Sequence, residues 1–362
     1  MITVFNVGQG DSILLKPDFD CWFSDVPLLI DCGSDSQQVF TKINDDIIDV
    51  LITHSHNDHL GGFKGLSSKV RYLFIPYYLP EIWNIYNYLS KHLFNNVIDV
   101  DLINNSFEKV IIIGEGDKLC NHSEVLNPPK WPEAYYNSSE REGYSIEEAL
   151  KILRNNGIQL PEEEIINYRT EIESVSNLMF FSSGNNEQTN INEYVELARN
   201  YVHNFFISLS MSLIYNRKLK IDTLILKKFQ SLIHRTSIVF KYDYHYNGKV
   251  LFTGDADKFV FNRLISKGTD ISAEYLKVPH HGSKRNLSKK HLQKINPKYA
   301  IFSHNNGLFG RATDPHPNKE ILDLFDNLNI EMGFTNDVIK GGPTRYFATT
   351  GLQHGFIDFK QP

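Results

Sequence analysis

Cysteine, methionine and tryptophan are scarce in this chain of 362 residues. The three cysteines, Cys21, Cys32 and Cys120, are widely separated, so their spacing predicts neither a disulfide framework nor a zinc knuckle. This cysteine usage favours a reducing cytoplasm. Apolar runs fall far short of the ~20 residues that a membrane helix needs, and residues 1–7 lack the basic start of a secretory signal. The sequence therefore predicts a cytoplasmic protein that makes no use of a membrane.

Positive charge is also in short supply. The chain has 37 Lys and Arg residues against 43 Asp and Glu, which gives a net charge of −6. No global basic field is available to attract a polyanion, so any contact with nucleic acid must use a local patch. The length allows one large domain or two modest ones, and a composition that is 41% hydrophobic supports a sizeable core.

The most informative stretch is an H-x-H-x-D-H cluster formed by His54, His56, Asp58 and His59. It follows the apolar run 47–52, which predicts a buried strand. Imidazole and carboxylate groups suit zinc, manganese or iron. Alternation places His54 and His56 on one side, while Asp58 and His59 come from the following turn. The loop can therefore offer one ligand pair to each of two neighbouring ions. The alternative is a polar loop whose histidines cap a helix.

Three further groups follow predicted strands. Asp31 ends one strand, Asp255 follows another, and His280 and His281 follow a third. Functional side chains often collect at strand ends. Asp255 could bridge two ions, and one late histidine could complete the second; adjacent histidines cannot easily ligate one ion from the same face. The other late histidine is expected to contact substrate phosphate or to support a ligand. The alternatives are a Gly-Asp turn and a pair of histidines that cap a glycine turn.

Hydrophobic periodicity outlines the rest of the chain. Strands are predicted at 2–7, 12–16, 27–33, 47–52, 71–76, 97–102, 108–113, 221–226, 236–242, 249–253, 274–278 and 299–303. Helices are predicted at 81–94, 146–155, 161–167, 192–216, 262–266 and 319–328. The polar, helical stretch 130–216 is interpreted as an inserted helical subdomain within a single domain over 1–362.

Several motifs, taken together, resemble one family. They are Phe5–Ser12, Asp31–Gly33, Thr53–Gly62, Val125–Pro129, Thr253–Asp255, Lys277–Ser283 and His316–Pro317. In this order they resemble metallo-β-lactamase-fold hydrolases, and specifically the hydrolase domain of the competence channel protein ComEC and its stand-alone relatives. The resemblance implies an α/β fold, an αββα four-layer sandwich with a metal site at one edge. It also implies nuclease or phosphodiesterase activity that uses a metal-bound hydroxide.

The resemblance also assigns roles to residues. The metal ligands would be His54 and His56 for the first ion, Asp58, His59 and His281 for the second, and Asp255 as the bridge. Catalytic roles would fall to Asp58, His280 and His316, and Asp11 and Asp31 would orient the imidazoles. The cofactors implied are two divalent ions, Zn or Mn.

Many members of the superfamily have a further first-site histidine that the sequence does not locate here. The candidates are His122, His203 and His234. The first ion is therefore expected to be held more weakly than the second.

Substrate contacts are expected from residues near the late histidines. Phosphate contacts are predicted for Ser283, Lys284, Arg285, Lys289 and Lys290, with Arg217, Lys218, Lys227 and Lys228 as an extension. The alternative for each basic cluster is a solvated charged face, and for His316 a loop residue before a helix.

The favoured function is a metal-dependent phosphodiester hydrolase that acts on nucleic acid, with DNA preferred. One rival is a small-molecule metallo-hydrolase, such as a phosphocholine esterase or a lactonase. Another is a non-catalytic metal-binding sensor or partner subunit whose helical insertion recognises a second protein.

Overall fold

A computed structural model describes most of the chain. The described residues are 2–16, 25–34, 39–89, 109–132, 145–167, 191–216, 220–244, 248–304, 316–336 and 356–358. The predicted strand at 97–102 and the candidate contacts Arg217 and Lys218 lie outside these residues. The chain divides into two compact units. The first unit contains Met1–Pro76, Ser106–Pro128 and Ser237–Pro362, and the second contains Tyr77–Asn105 and Pro129–Thr236.

The first unit is built on two mixed sheets. Its strands are β1 (Ile2–Phe5), β2 (Ile13–Leu15), β3 (Leu28–Ile30), β4 (Ile48–Leu51), β5 (Val70–Pro76), β6 (Lys109–Ile113), β7 (Ser123–Asn127), β8 (Val239–Asp243), β9 (Lys249–Phe252), β10 (Tyr275–Lys277), β11 (Tyr299–Phe302), β12 (Glu331–Phe334) and β13 (Phe356–Asp358). The first sheet has the order β13-β1-β2-β3-β4-β5-β6, and the second has the order β12-β11-β10-β9-β8-β7.

Each sheet combines an antiparallel part with a parallel part. In the first sheet, β3, β4, β5 and β6 pair in parallel, and in the second sheet β9, β10, β11 and β12 do so. Parallel strands in such sheets are buried on both faces and carry continuous apolar runs, and β4 is buried along its whole length. Loops that follow parallel strands meet at one edge of their sheet, which is where ligands bind in α/β folds.

Helices of the first unit cover the second sheet. Among the described residues, the labelled α-helices are α1 (Asn57–Leu60), α2 (Leu79–Leu89), α3 (Ile146–Asn155), α4 (Ile191–Tyr215), α5 (Ile221–Arg235), α6 (Lys258–Lys267), α7 (Lys289–Ile295) and α8 (Lys319–Asn327). One core cluster joins α6, α7 and α8 to the second sheet through residues such as Phe261, Leu292 and Phe325. The side chain of Asp257 caps α6 by accepting hydrogen bonds from two backbone N–H groups of its first turn. These layers fit an α/β fold.

The second unit is helical in its described part. Helices α2 to α5 belong to it, and residues 162–167 are also helical. The ring of Tyr78 stacks on Tyr201 with centroids 4.2 Å apart, and the ring of Phe205 lies 5.1 Å from that of Phe229. The predicted insertion, 130–216, falls within this unit, which also includes Tyr77–Asn105 and continues to Thr236.

The strand predicted at 221–226 is wrong, because these residues open the helix α5. The short window Ile221–Leu226 contains two isoleucines and a threonine, which are β-branched residues that favour a strand. Over the longer segment the buried residues are Leu224, Ile225, Phe229, Leu232 and Ile233, and this spacing is helical. A window of six residues is too short to separate the two periods.

The prediction from cysteine spacing is also wrong in part. Cys120 is disulfide-bonded, whereas Cys32 is a free, buried thiol. A disulfide requires two Cα atoms within about 7 Å, and that proximity is set by tertiary structure rather than by separation along the chain. The cysteines therefore give no support to a reducing compartment.

Candidate metal centre

The predicted metal loop joins the edges of the two sheets. It follows β4 of the first sheet, and the backbone oxygen of Thr53 accepts a hydrogen bond of 2.9 Å from the Ile238 N–H, just before β8. Gly254, which follows β9, has φ +48, and a Cβ there would lie 2.9 Å from the Thr53 side chain. This close approach, which requires glycine, places Asp255 beside the histidine loop.

Two groups of ligand atoms form around this junction. One ligand atom each from His54, His56 and Asp255 lie within 4.8 Å of one another. The same holds for Asp58, His59 and His281. These are the two sets that the sequence predicts for the first and the second ion.

Asp255 lies between the two groups and faces each with a different oxygen. Its Oδ2 is 3.6 Å from the Nε2 of His54, and its Oδ1 is 3.3 Å from the Nε2 of His59. The Nε2 of His281 lies 3.9 Å from the same Oδ1 and 3.3 Å from Oδ2 of Asp58. Asp255 is 1% exposed. A buried carboxylate with one oxygen on each side is suited to bridge two cations.

Asp31 and Thr53 orient two of the imidazoles. Oδ2 of Asp31 lies 2.7 Å from Nδ1 of His59, and it accepts a second hydrogen bond from the Thr53 hydroxyl. The same hydroxyl lies 3.1 Å from Nδ1 of His54 and can accept from it. Both rings therefore present Nε2 toward Asp255. The orienting role that the sequence assigns to Asp31 stays a prediction, and Thr53 had no predicted role of its own.

The late histidines are oriented in the same way. Nδ1 of His281 lies 3.0 Å from the backbone oxygen of Ser303, and Nδ1 of His280 lies 3.1 Å from Oδ1 of Asn286. The Asn286 amide donates to the backbone oxygens of Asp255 and Ala256, so its Oδ1 must be the atom that accepts from His280. Sequence reasoning missed Asn286 and Ser303, because an isolated Asn or Ser in a loop carries no distinctive spacing.

The buried polar atoms at the junction fit metal ions. Nε2 of His59, Nε2 of His281 and Oδ1 of Asp255 are buried and make no hydrogen bond with any described residue. An unsatisfied buried polar atom is costly and requires an explanation. Nitrogen and carboxylate oxygen donors directed at a common point are what zinc and manganese take as ligands.

The electrostatics of the site keep Asp255 ionised. Burial alone would raise the pKa of Asp255, but the imidazoles of His280, His59 and His281 hold that pKa well below its usual value. Burial would likewise lower the pKa of His59, and the carboxylates of Asp255 and Asp31 instead raise it. At His56, burial prevails and lowers the pKa, which favours the neutral imidazole that a metal ion requires.

His280 lies on the side of the first group. Its Nε2 is 3.7 Å from Oδ2 of Asp255, the oxygen that His54 faces. His280 and His281 have φ values of 49 and 53, the left-handed region that is costly outside glycine. This backbone turns the two rings toward different oxygens of Asp255. The ring of His316 packs edge-on against His280 at 5.1 Å between centroids.

The three candidates for a further first-site histidine lie in different elements of the chain, and their role stays a prediction. In the second unit, Nε2 of His203 lies 2.5 Å from Oε1 of Glu162. His234 lies on α5 of that unit, and His122 precedes β7 in the first unit. Among the described residues of the first unit, His280 offers a further nitrogen donor near Oδ2 of Asp255, in addition to those of His54 and His56.

The predicted phosphate contacts are largely on the surface. Lys284, Arg285, Lys289 and Lys290 are exposed, and Nζ of Lys284 lies 3.3 Å from Oε1 of Glu320 on α8. Ser283 is buried, and its hydroxyl accepts a hydrogen bond from the Arg285 N–H. Lys227 and Lys228 lie on α5 of the second unit. Their contact with substrate stays a prediction.

Comparison with known proteins supports the fold superfamily. The family model described as Anti-Pycsar protein Apyc1 matches residues 21–109, less than half of the chain. A ribonuclease Z from Clostridium botulinum strain Eklund 17B is 28% identical over 167 residues, which cover 40% of this chain and 53% of the relative. The ribonuclease Z of strain Alaska E43 is 29% identical over the same length. The chain thus spans about half the length of the curated relatives it matches.

The similarity to ribonuclease Z supports the metallo-β-lactamase-fold superfamily. The ComEC-like branch is a finer assignment, and the matching family model belongs to a different family. Among the described residues, no helix is both long and apolar enough to cross a membrane.

Proposed function

We propose that this protein is a metal-dependent phosphodiester hydrolase that acts on nucleic acid, with DNA as the favoured substrate. The observation that carries the proposal is the pair of ligand groups on the two oxygens of Asp255. The similarity to proteins named ribonuclease Z supports a nucleic-acid substrate. We extend the proposal to the architecture, in which the two sheets form the inner layers of an αββα sandwich over a single domain that carries a helical insertion.

The first ion would be held by His54, His56 and Asp255, and the second by Asp58, His59 and His281, with Asp255 shared. Two such ions polarise the phosphoryl group and activate water near neutral pH. We assign His280 to the first ion as well, since its Nε2 faces the same oxygen of Asp255 as His54 does. This additional donor would offset the weak first site that the sequence predicts.

The protein side chains would then handle the proton. The carboxylate of Asp58 lies beside His281 and is the candidate base. Burial would raise the pKa of Asp58, but the neighbouring imidazoles of His281 and His59 lower it, so the carboxylate is ionised at neutral pH. His316, packed against His280, is the candidate acid for the leaving oxygen. Asp11 and Asp31 fix the ligands behind this reaction centre.

The direct test offers single- and double-stranded DNA and RNA to the protein loaded with Mn²⁺ or Zn²⁺. We expect cleavage by the wild type and a loss of at least ~100-fold in His56→Ala and Asp255→Asn, because charge stabilisation by the ions supplies most of the rate. Equal cleavage by the wild type and both variants would indicate a contaminating nuclease and would end the proposal.

A small phosphodiester is the second candidate substrate. The family model that matches residues 21–109 is not named as a nuclease, and this match supports a small phosphodiester as a second candidate substrate. Turnover of bis-p-nitrophenyl phosphate without cleavage of any nucleic acid would select this alternative. Tight metal binding without any hydrolysis would instead select a sensor or partner subunit, with the helical second unit as the surface for a protein partner.

A further inference from the structure

A buried lysine lies behind the metal centre. Lys277 is the last residue of β10, and its Nζ lies 2.7 Å from Oδ2 of Asp11; both side chains are 2% exposed. The same ammonium donates to the backbone oxygen of Val278 at 3.0 Å. A charged amine is retained in a protein interior only when it is paired and hydrogen-bonded. Lys277 has no part in the proposed chemistry, so its burial requires another explanation.

Asp11 connects this lysine to the second ligand group. Its other carboxylate oxygen, Oδ1, lies 3.7 Å from Nδ1 of His281. Its backbone N–H donates to the backbone oxygen of Asp58, and its backbone oxygen accepts from Gly33. Asp11 therefore contacts two of the three residues that would hold the second ion.

The position of Lys277 also matters for a third group of possible ligands. One ligand atom each from Asp11, Asp31 and His59 lie within 4.8 Å of one another, and all three residues are buried. Two buried carboxylates this close favour a cation between them. The ammonium of Lys277, already in contact with Asp11, supplies that positive charge from the protein itself.

We propose that Lys277 is a positioning residue for the second metal site. Its ammonium holds Asp11 behind His281, keeps the His281 ring turned with Nε2 toward Asp58, and excludes a third ion from the Asp11–Asp31–His59 group. The inference rests on the proposed function only in taking the Asp58–His59–His281 group as a working metal site.

The test measures metal binding directly. Lys277→Met alone leaves the Asp11 carboxylate buried without its partner, which destabilises the fold. The deciding variant is therefore Lys277→Met with Asp11→Asn, which removes both charges. Calorimetric titration with Mn²⁺ should show two ions per wild-type chain. In the double variant, the affinity for the second-site ion should fall ~10–100-fold, the usual cost of losing a residue that supports a ligand, and the first ion should bind as in the wild type.

A matched control comes from the same sheet. Lys241 on β8 lies 2.8 Å from Oδ2 of Asp270, which precedes β10, so Lys241→Met with Asp270→Asn removes a more exposed Lys–Asp pair near the other end of that strand. This control should bind both ions as the wild type does. A second readout needs no metal: ¹⁵N NMR of the apo wild type should show the His281 proton on Nδ1.

The inference is overturned by wild-type affinity in the Lys277–Asp11 double variant, by a third ion bound to the wild type, or by an Nε2–H tautomer of His281. Should the double variant fail to fold, the last two measurements still decide. Loss of second-site affinity in a protein that cleaves no phosphodiester would uphold Lys277 and refute the proposed function. Phosphodiester cleavage by the wild type, together with wild-type affinity for the second-site ion in the double variant, would uphold the proposed function and refute the role of Lys277.

Discussion

At the scale of single residues, the site depends on groups that never touch an ion. Asp31 serves two imidazoles, one directly through His59 and one through the Thr53 hydroxyl. Burial raises the pKa of Asp31, although the His59 imidazole opposes the shift. Because the ring orientation of His54 and His59 depends on this one carboxylate, its loss should weaken the binding of both ions.

Asp31→Asn should therefore lower Mn²⁺ affinity by ~10–100-fold at neutral pH, as measured by calorimetry. The amide keeps the size of the side chain, but it is neutral, and its NH2 group cannot accept the hydrogen bonds that one carboxylate oxygen of Asp31 accepts. Asp45→Asn is the control, since Asp45 pairs with Lys16 at 2.9 Å on a partly exposed surface. An affinity for Mn²⁺ equal in the two variants would remove the orienting role of Asp31.

His291 gives a second prediction at this scale, away from the metal ligands. Burial and the charges of Lys258 and Lys290 lower the pKa of His291 to about 4, and its Nε2 lies 3.1 Å from Oδ1 of Asn262. The folded protein favours the neutral ring, so unfolding takes up a proton between pH ~6.5 and ~4. This group therefore destabilises the fold as the pH falls through that window and has no effect above it.

His291→Gln should flatten this dependence. Between pH 7 and pH 5, the free energy of unfolding should fall by about 1 kcal/mol less in the variant than in the wild type. The difference is modest because solvent screens the charge of the exposed Lys290. Urea unfolding at both pH values measures the difference. Parallel pH profiles for the two proteins would show that His291 titrates normally in the fold.

At the scale of elements, the loop between β1 and β2 supports the metal loop. Gly10 has φ +119, and a Cβ there would lie 2.1 Å from the backbone oxygen of Asp58. The adjacent Asp11 N–H donates to that same oxygen. The two loops are in contact over their backbones, so the position of Asp58 depends on a glycine in a distant part of the sequence.

Gly10→Ala should displace Asp58 and weaken binding of the second ion by at least ~10-fold, since ligands must be held within about 0.5 Å of their productive positions. Gly116→Ala is the matched control: Gly116 has φ +90 but no atom within 4 Å of an added Cβ. It carries a similar backbone strain without the clash. Mn²⁺ titration compares them, and an equal effect would assign the loss to strain alone.

At the scale of the whole molecule, the candidate ligands come from both sheets of the first unit. The histidine loop follows β4 of the first sheet, whereas Asp255 and the late histidines follow β9 and β10 of the second. Metal ions bound there would link the two sheets. Ions that bind only the folded state stabilise it in proportion to their excess over the dissociation constant.

Removal of metal should accordingly lower stability. At a free Mn²⁺ concentration 100 times the dissociation constant, we expect about 2.7 kcal/mol of added stability per ion, which EDTA should abolish. Thermal unfolding with and without EDTA measures the change. Asp255→Asn should show almost no difference between the two conditions; a full Mn²⁺ effect in that variant would place the ions elsewhere.

The local patterns of the sequence allowed much of the described chain to be predicted. The strands before the site, the helix Ile146–Asn155 and the H-x-H-x-D-H loop follow directly from periodicity and spacing. The helix at 221–235 and the disulfide of Cys120 were missed. The first error reflects a window too short for its period, and the second reflects proximity that no local pattern encodes.

By itself, the sequence determined which donors exist and that each follows a strand, because ligand chemistry and strand periodicity are local properties. Tertiary structure alone decided that His280 and His281 face different oxygens of one carboxylate, that Asn286 and Ser303 set their rings, and that Lys277 lies behind the centre. Some contacts around the site join segments that are far apart in the chain, as the 293-residue separation of Ser303 and Gly10 in one hydrogen bond illustrates. Distances of that kind are fixed by how the two sheets meet.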